Sequence, residues 1–358
     1  MQFTANVGDL LRALNLVGTV VQARSTIPIV THVLIRATPD NSVSIVGTDL
    51  ERECSTVAPA EVEKEGAVTV PASILRGIVS KLPKSGTLKV SLDSKSNRVS
   101  IVSGRGRYAL STRPAEDFPE ANAAEGSHFR IDAGSFRALL EATVGSVSTE
   151  ETRYYLRGVY LHIHDGDLVA VSTDGYRLCL RSMDLPAGAE SIPGIIIPTP
   201  AVNTLLTLLD GVDEDVSAWV TGARMWVKTP QAVFATRLID GTYPDYRRAI
   251  PRSVGPAITI CGVEFAAAIG RAMETAPETK AVAAGLVCTP DGMKISVGQH
   301  GIETAVEHID GEFRADAPDV AANARYLVAM TKAWGDAPID IHITDQGGSI
   351  LFTSKDLP

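Results

Sequence analysis

Three aspartates are the residues best suited to chemistry in this sequence, because carboxylates can hold a divalent metal ion for phosphodiester hydrolysis. Asp49, Asp174 and Asp245 each lie among residues that signal a turn. No cluster of His, Asp and Glu stands at metal-ligand spacing, and Gly104-Arg105-Gly106 is too short for a phosphate-binding fingerprint. The residues therefore favour a protein that is not an enzyme and needs no metal or cofactor, with a metal-dependent nuclease as the alternative.

The composition is typical of a globular protein with more than one domain. The 358 residues are 45% hydrophobic and 21% charged, and no apolar run reaches the roughly 18–20 residues of a membrane span. The first 21 residues form an amphipathic stretch without a basic leader segment. Wide spacing argues against disulfides or a metal site for the cysteines, which are Cys54, Cys179, Cys261 and Cys288. We therefore predict a cytoplasmic protein with free thiols.

One order of elements occurs three times along the chain. A short strand and an amphipathic helix come first, with helices predicted at 7–20, 133–143 and 263–275. Pairs of strands joined by a turn follow at 33–37 and 42–48, 156–164 and 168–173, and 284–289 and 293–297. A second helix is predicted at 72–81, 200–209 and 324–334, before further strands such as 88–92, 98–103 and 107–112.

The repeat predicts three similar α+β domains, 1–125, 126–253 and 254–358, with links near 121–127 and 251–256. Units of more than about a hundred residues are too long for a solenoid. They suit an assembly with rotational pseudo-symmetry, and six units from two chains would close a ring through the twofold dimerisation that is commonest among homo-oligomers.

Several stretches carry a more specific signal. Residues 151–158, 172–178 and 238–251 closely resemble signature stretches of the bacterial DNA sliding clamp, the β subunit of DNA polymerase III holoenzyme. Residues 48–50, 70–72 and 111–119 support the match in the first unit. The resemblance implies a DNA clamp fold, which is a head-to-tail homodimer with helices lining a central hole and antiparallel sheets outside.

The resemblance also implies a function in DNA replication. A clamp is a processivity factor that an ATP-driven clamp loader places on duplex DNA, where it slides regardless of sequence. It tethers the replicative DNA polymerase and other proteins that carry clamp-binding motifs. An accessory or divergent clamp copy with altered partner binding is the alternative within the family, and a ring-shaped scaffold without a DNA role is the alternative outside it.

A ring that moves along DNA needs diffuse contacts with phosphate, since each specific base contact of about 1–3 kcal/mol would hold it in place. The net charge of −9 does not exclude such contacts, because a basic lining can coexist with an acidic exterior. The candidates are Arg12, Lys81 and Arg137, on or near predicted lining helices, and Arg24, Tyr154 and Tyr155, which the resemblance places against DNA. Solvated helix faces, and core packing of the tyrosines, are the alternatives.

The resemblance places the family's peptide-binding pocket on Leu156, Thr173, Gly175, Tyr176, Arg177, Leu178, Pro244 and Arg248. An apolar floor of Leu156, Leu178 and Pro244 would hold Leu or Phe anchors of a partner. Tyr176 stands where a histidine is common in the family, so we expect a different partner preference. The alternative is that residues 173–175 simply form a turn at the end of a strand.

The predicted dimer joins the first unit of one chain to the third unit of its partner. The edge strand 107–112 lacks a protecting Pro or Lys, and Leu110→Asp is expected to favour monomers. The predicted interface residues, with the arginines facing the glutamates, are Arg98, Arg105, Arg107, Tyr108, Leu110, Met273, Glu303 and Glu307.

The third unit is predicted to lack the last strand of the family. Relatives finish with a further apolar strand and a tail that completes the pocket, whereas this sequence finishes at 354–358. We therefore expect residues 350–352 to form a sheet edge, one apolar wall of the pocket to be missing, and partner peptides to bind more weakly.

Overall fold

The computed structural model describes residues 1–93, 96–121, 126–251, 256–276, 281–298, 304–314, 317–331, 334, 336–343 and 349–355. Its helices are α1 (Val7–Val17), α2 (Ala72–Ser80), α3 (Ala133–Val144), α4 (Thr199–Leu208), α5 (Gly262–Met273) and α6 (Ala324–Thr331). Short 3₁₀ segments lie at Pro28–Thr31, Ala115–Asp117, Glu151–Leu156 and Tyr246–Ala249.

The strands, in chain order, are β1 (Gln2–Asn6), β2 (His32–Thr38), β3 (Ser42–Thr48), β4 (Arg52–Lys64), β5 (Gly66–Pro71), β6 (Thr87–Asp93), β7 (Arg98–Ser103), β8 (Gly106–Ser111), β9 (Ser127–Asp132), β10 (Gly158–His164), β11 (Asp167–Thr173), β12 (Leu178–Asp184), β13 (Ile195–Pro198), β14 (Asp215–Val220), β15 (Arg224–Lys228), β16 (Val233–Arg237), β17 (Ile258–Cys261), β18 (Ala283–Thr289), β19 (Gly292–Gly298), β20 (Thr304–Phe313), β21 (Val320–Asn323), β22 (Pro338–Ile343) and β23 (Ile350–Thr353).

Helix α1 begins and ends for local reasons. The Asn6 side chain caps it by accepting from the N–H groups of Gly8 (2.8 Å) and Asp9 (3.4 Å). Its apolar residues recur at helical spacing and are buried: Val7, Leu10, Ala13, Leu14 and Val17. The predicted helix to residue 20 is too long, because Gly18, a poor helix former, closes it with an N–H bond to the Leu14 carbonyl (2.9 Å).

The predicted hairpins form with the predicted turns. Thr38 pairs with Ser42, His164 with Asp167 and Thr289 with Gly292. In the two-residue turn between β10 and β11, Asp165 and Gly166 have φ values of 51° and 92°, as a tight hairpin turn requires. The strand predicted to begin at residue 156 begins at Gly158 instead, because residue 156 ends the 3₁₀ segment Glu151–Leu156.

The chain divides into two compact units, and the first comprises Met1–Arg137 with Pro186–Ile239. Its sheet runs β8-β7-β6-β1-β4-β16-β15-β14-β9, and β2, β3 and β5 join through β4. The long strand β4 was not predicted, although its alternating buried residues Cys54, Thr56, Ala58 and Ala60 give the expected signal of period two. Because β4 pairs with β16, the unit includes strands on both sides of the boundary predicted at 125/126.

The second unit comprises Ala138–Leu185 with Asp240–Pro358. Strands β10, β11 and β12 are antiparallel neighbours, and a second antiparallel sheet has the order β21-β18-β19-β20-β17-β22-β23. Phe265 and Ile269 of α5 and Leu327 of α6 are buried against the second sheet with Leu286 and Ile339. Strand β23 is the end strand of this sheet among the described residues, which confirms the edge predicted at 350–352.

Candidate functional site

The residues that follow β11 form a turn held by its own side chains. The Thr173 hydroxyl donates to the Arg177 carbonyl (2.7 Å) and accepts from the Gly175 N–H (3.0 Å). Asp174 Oδ1 accepts from the N–H groups of Tyr176 (2.9 Å) and Arg177 (3.0 Å). Gly175 has a φ of 91°, which favours glycine. The turn is thus closely constrained, and it leaves Tyr176 77% exposed.

The Arg177 side chain lies between Asp174 and Tyr326. Its Nε is 3.1 Å from Asp174 Oδ2, and the two side chains are each 15% exposed. Its guanidinium carbon lies 4.4 Å from the centre of the Tyr326 ring on α6, the geometry of a cation–π contact. Arg177 therefore connects the turn to α6.

A cavity of about 570 Å³ opens beside this connection. Its lining residues are Thr173, Gly175, Tyr176, Arg177 and Leu178 of the turn, Ala249, Ile250 and Pro251, and Val320, Ala321, Ala322, Asn323, Tyr326, Leu327, Met330, Ser349, Ile350, Leu351 and Phe352. Apolar walls with a few polar groups are typical of sites that hold the apolar anchors of a ligand.

The predicted pocket residues divide into two groups. Those between 173 and 178 line the cavity, whereas Leu156, Pro244 and Arg248 do not. Leu156 is only 5% exposed, and its carbonyl accepts from the Ser148 N–H (2.9 Å). Arg248 is 87% exposed and lies 3.3 Å from Asp245. Of the three residues predicted to form the pocket floor, Leu178 lines this cavity, and a role for Leu156 and Pro244 in a peptide site stays a prediction.

The wall contributed by α6 and β23 was not predicted. The cavity residues of α6, which are Tyr326, Leu327 and Met330, lie more than 140 residues from the turn in the sequence. The helical periodicity of 324–334 predicts that one face of this helix is buried, but it does not indicate which element packs against that face. Ile350 and Phe352 of β23 also line the cavity. The edge strand β23 therefore contributes apolar side chains to the cavity.

An aromatic cluster fixes the chain that leads to Ala249. The rings of Tyr160 and Tyr243 stack at 4.8 Å, and His162 Nε2 lies 3.1 Å from the Tyr246 hydroxyl. Burial lowers the pKa of His162 and raises the pKa of Tyr243, so the folded protein favours the neutral form of both. These contacts hold the segment that precedes the cavity residues 249–251.

The first repeat contains the same turn at residues 48–52. The Thr48 hydroxyl donates to the Arg52 carbonyl (2.7 Å) and accepts from the Leu50 N–H (3.0 Å). Asp49 Oδ1 accepts from the N–H groups of Glu51 (3.1 Å) and Arg52 (2.6 Å), and Asp49 Oδ2 from Arg52 Nη2 (2.7 Å). Leu50 has a φ of 78° where the second repeat has Gly175. The two turns are copies of one element, which supports the repeat predicted from the sequence.

The ion pairs of the three aspartates argue against the alternative of a metal-dependent nuclease. Asp49, Asp174 and Asp245 pair with Arg52, Arg177 and Arg247 at 2.7, 3.1 and 2.7 Å. Carboxylates that bind guanidinium groups and cap backbone N–H groups have their oxygens committed. Within the described part of the chain, no group of three or more His, Cys, Asp and Glu is placed to hold a metal ion.

Comparisons with known proteins identify the family. The chain matches the models of the DNA polymerase III beta subunit N-terminal domain over residues 1–122 and central domain over residues 130–245. It is 34% identical to the β sliding clamp of Caulobacter vibrioides over 333 residues, 92% of this chain and 89% of that protein. It is 30% identical to the β sliding clamp of Escherichia coli K12 over 354 residues, which are 98% of this chain and 95% of that protein. This chain belongs to the bacterial β sliding clamp family.

Solved clamp structures agree with this assignment. The C. crescentus β sliding clamp superposes with a TM-score of 0.92 at 32% identity, covering 100% of this chain and 96% of that one. The clamp of Bartonella birtlesii, bound to griselimycin, gives a TM-score of 0.91 at 32% identity, covering 99% and 96%. The predicted α+β DNA clamp fold is confirmed. The protein is a processivity factor of DNA replication and not an enzyme.

The predicted DNA-contacting residues are mostly accessible. Arg12 is 66% exposed and lies 3.2 Å from Asp9, and Arg24 and Lys81 are exposed. Arg137 lies 3.7 Å from Asp210. Tyr154 is 53% exposed and meets Tyr155 edge to face at 5.6 Å, so Tyr154 is not a core residue. No described helix is both long and apolar enough to cross a membrane.

The predicted dimer residues differ in their surroundings. Strand β8 is an edge of its sheet, and Tyr108 is partly exposed, but Leu110 is only 7% exposed within its own chain. Arg98 donates to the Ala109 carbonyl (3.1 Å) of the same chain. Glu307 pairs with Arg271 of its own chain, with 3.1 Å between Arg271 Nε and Glu307 Oε1. Glu303 lies outside the described residues.

Proposed function

We propose that this chain forms a head-to-tail homodimer that closes around duplex DNA in the cytoplasm. The ring would be placed on DNA by a clamp loader and would tether the replicative polymerase and other proteins through peptides bound in the cavity beside Arg177. The proposed domains are 1–125, 126–253 and 254–358. The observation that carries the proposal is the cavity itself, which combines a constrained turn with an apolar wall from α6 and β23.

The test of the proposal as a whole is topological. A labelled chain loaded by a clamp loader onto nicked circular DNA should co-elute with the DNA and should be lost when a restriction enzyme linearises the circle. Retention that is unchanged by linearisation would mean direct binding rather than encirclement. If the chain is retained on the circle but does not increase the processivity of the polymerase, the result would favour a ring-shaped scaffold over a processivity factor.

We predict that neutralising Arg12 and Arg24 together shortens the retention of the ring on circular DNA. Log affinity falls with log salt, and each lost phosphate contact should make that fall less steep by about 0.9. The affinity of the double variant should therefore be less sensitive to salt. The matched control removes Arg130 and Arg237, strand residues whose side chains are 71% and 56% exposed. Equal losses in both double variants would show that total charge, and not the predicted lining, controls retention.

We predict that Tyr108→Asp converts the dimer to monomers without unfolding the chain. Tyr108 lies on the β8 edge and is partly exposed, so a carboxylate there can stay hydrated in the monomer but not in an interface. Leu110→Asp is the poorer test, because Leu110 is buried in its own chain and the variant would also destabilise the fold. Light scattering at micromolar concentration measures the mass, and Val57→Asp, at a residue that is 63% exposed, is the control. A Tyr108→Asp protein that stays dimeric contradicts the proposed interface.

A further inference from the structure

A histidine of β10 contacts the segment that leads to the cavity. His162 Nε2 lies 3.1 Å from the hydroxyl of Tyr246, the first residue of the 3₁₀ segment Tyr246–Ala249. Tyr246 is only 6% exposed, so its hydroxyl needs a partner inside the protein. Ile250 directly follows this 3₁₀ segment, lines the cavity and is 38% exposed. A hydrogen bond therefore connects His162 to the segment that forms one wall of the cavity.

The other ring nitrogen of His162 determines which group donates in this hydrogen bond. Nδ1 lies 3.1 Å from the Ile163 carbonyl oxygen, which can only accept, so Nδ1 carries the proton of the neutral ring. Nε2 is then the acceptor, and the Tyr246 hydroxyl donates to it. Protonation would turn Nε2 into a donor, and the Tyr246 hydroxyl would have to rotate and find another acceptor for its hydrogen. The observed contact therefore fits the neutral form of His162.

The surroundings of His162 oppose a positive charge on its ring. The ring stacks on Tyr160 with 4.6 Å between the ring centres. Burial lowers the pKa of His162, the hydrogen bond to the Ile163 carbonyl raises it, and the neighbouring charges of His164 and Arg247 lower it further. Because the pKa in the folded protein is below the ordinary value of 6.5, the neutral ring stabilises the fold above that pH. This stabilisation is lost as the pH falls through the lowered pKa.

Other titratable groups lie near this ring on β10, on β11 and on the segment to the cavity. They are Tyr160, His164, Asp165, Asp167, Tyr243, Asp245, Tyr246, Arg247 and Arg248. Two of the carboxylates have other partners, since Asp165 lies 3.5 Å from His164 and Asp245 lies 2.7 Å from Arg247. His164 and Arg247 are the neighbours whose positive charge acts on His162.

We propose that His162 is a positioning residue for the cavity wall and makes the affinity for a partner peptide sensitive to pH. The neutral ring accepts from Tyr246 and holds Ile250 in the wall. The protonated ring releases Tyr246, and the wall then loses the fixed geometry that an apolar anchor requires. The effect on peptide affinity rests on the proposed function of the cavity as the peptide site.

The first test measures peptide affinity between about pH 8 and about pH 5, the range in which histidine titrates. The probe is a labelled, end-capped peptide with adjacent Leu and Phe and no titratable side chain. Log Kd should be constant above about pH 7 and should then rise by up to about one per pH unit, because binding releases one proton from His162.

Two variants of β10 assign this pH dependence. His162→Gln keeps an oxygen that can accept from Tyr246 and does not titrate, so it should bind the peptide in acid as tightly as at about pH 8. His164→Gln is the matched control two residues along the strand, and it should keep the pH dependence of the unmodified protein. If His162→Gln does not fold, Tyr246→Phe carries the same test, because without the hydroxyl the pH dependence should also be lost.

Nuclear magnetic resonance gives a second test that needs no peptide. The ring signals of His162 should titrate with a pKa below 6.5, because burial disfavours the charged ring. The methyl signals of Ile250 should move with the same midpoint in the unbound protein. Tyr246→Phe should abolish this movement of Ile250 while His162 still titrates.

The outcomes separate this inference from the proposed function. Methyl signals of Ile250 that do not follow the titration of His162 would overturn the inference, and so would a pH dependence of affinity that survives in His162→Gln. If Ile250 follows His162 but the chain binds no peptide at any pH, the positioning of the wall is supported and the proposed function of the cavity fails.

Discussion

Asp174→Ala is expected to lower the free energy of unfolding by about 3–5 kcal/mol, because it leaves a largely buried guanidinium without its counter-ion. It also removes the acceptor of the Tyr176 and Arg177 N–H groups, which shapes the turn. We therefore expect the affinity for a Leu- and Phe-bearing peptide to fall about tenfold or more as the cavity wall loses its geometry. Urea unfolding followed by circular dichroism and a fluorescence titration measure the two effects.

Asp49→Ala provides a control built into the chain. Asp49 and Arg52 make the same contacts in the first repeat, and their side chains are 7% and 17% exposed. The stability cost should therefore be similar to that of Asp174→Ala. Peptide affinity should stay within about twofold of the unmodified protein, since the second turn lines the proposed peptide cavity and the first turn does not. Equal losses of peptide affinity in both variants would contradict a local role for the second turn.

Leu178→Asp is expected to reduce peptide affinity about a hundredfold or more, because an apolar anchor would have to bury a carboxylate that has no partner. Leu178 lines the cavity and is only partly buried, so the unbound protein can keep the new carboxylate hydrated and should remain folded. Isothermal titration with the same peptide measures the affinity, and thermal unfolding checks the fold.

Leu180→Asp is the matched control for this prediction. It makes the same change two residues further along β12, at a side chain that is 42% exposed and is not part of the cavity lining. Its peptide affinity should be close to that of the unmodified protein. A large loss at Leu180 as well would mean that the binding surface extends along β12 beyond the cavity.

The sequence by itself determined the features that depend on local chemistry. Asn6 caps the first helix, and Asp165 with Gly166 makes the β10–β11 turn, because the residues that act lie next to one another. The turn containing Thr173 and Gly175 comes from one continuous signature stretch, and it lines the cavity, while its role as a peptide site stays a prediction. The family followed from such stretches, and the comparisons confirm it.

Only the tertiary structure decided which distant surfaces meet. Tyr326 and Phe352 line the same cavity as Arg177, although no local pattern in the sequence connects them to it. The same limit applies to Leu110, which looks like an exposed edge residue but is covered by its own chain. A hydrophobic pattern predicts that a side chain will be buried. The residues that pack against that side chain depend on how whole helices and strands are arranged, and only the folded structure shows this arrangement.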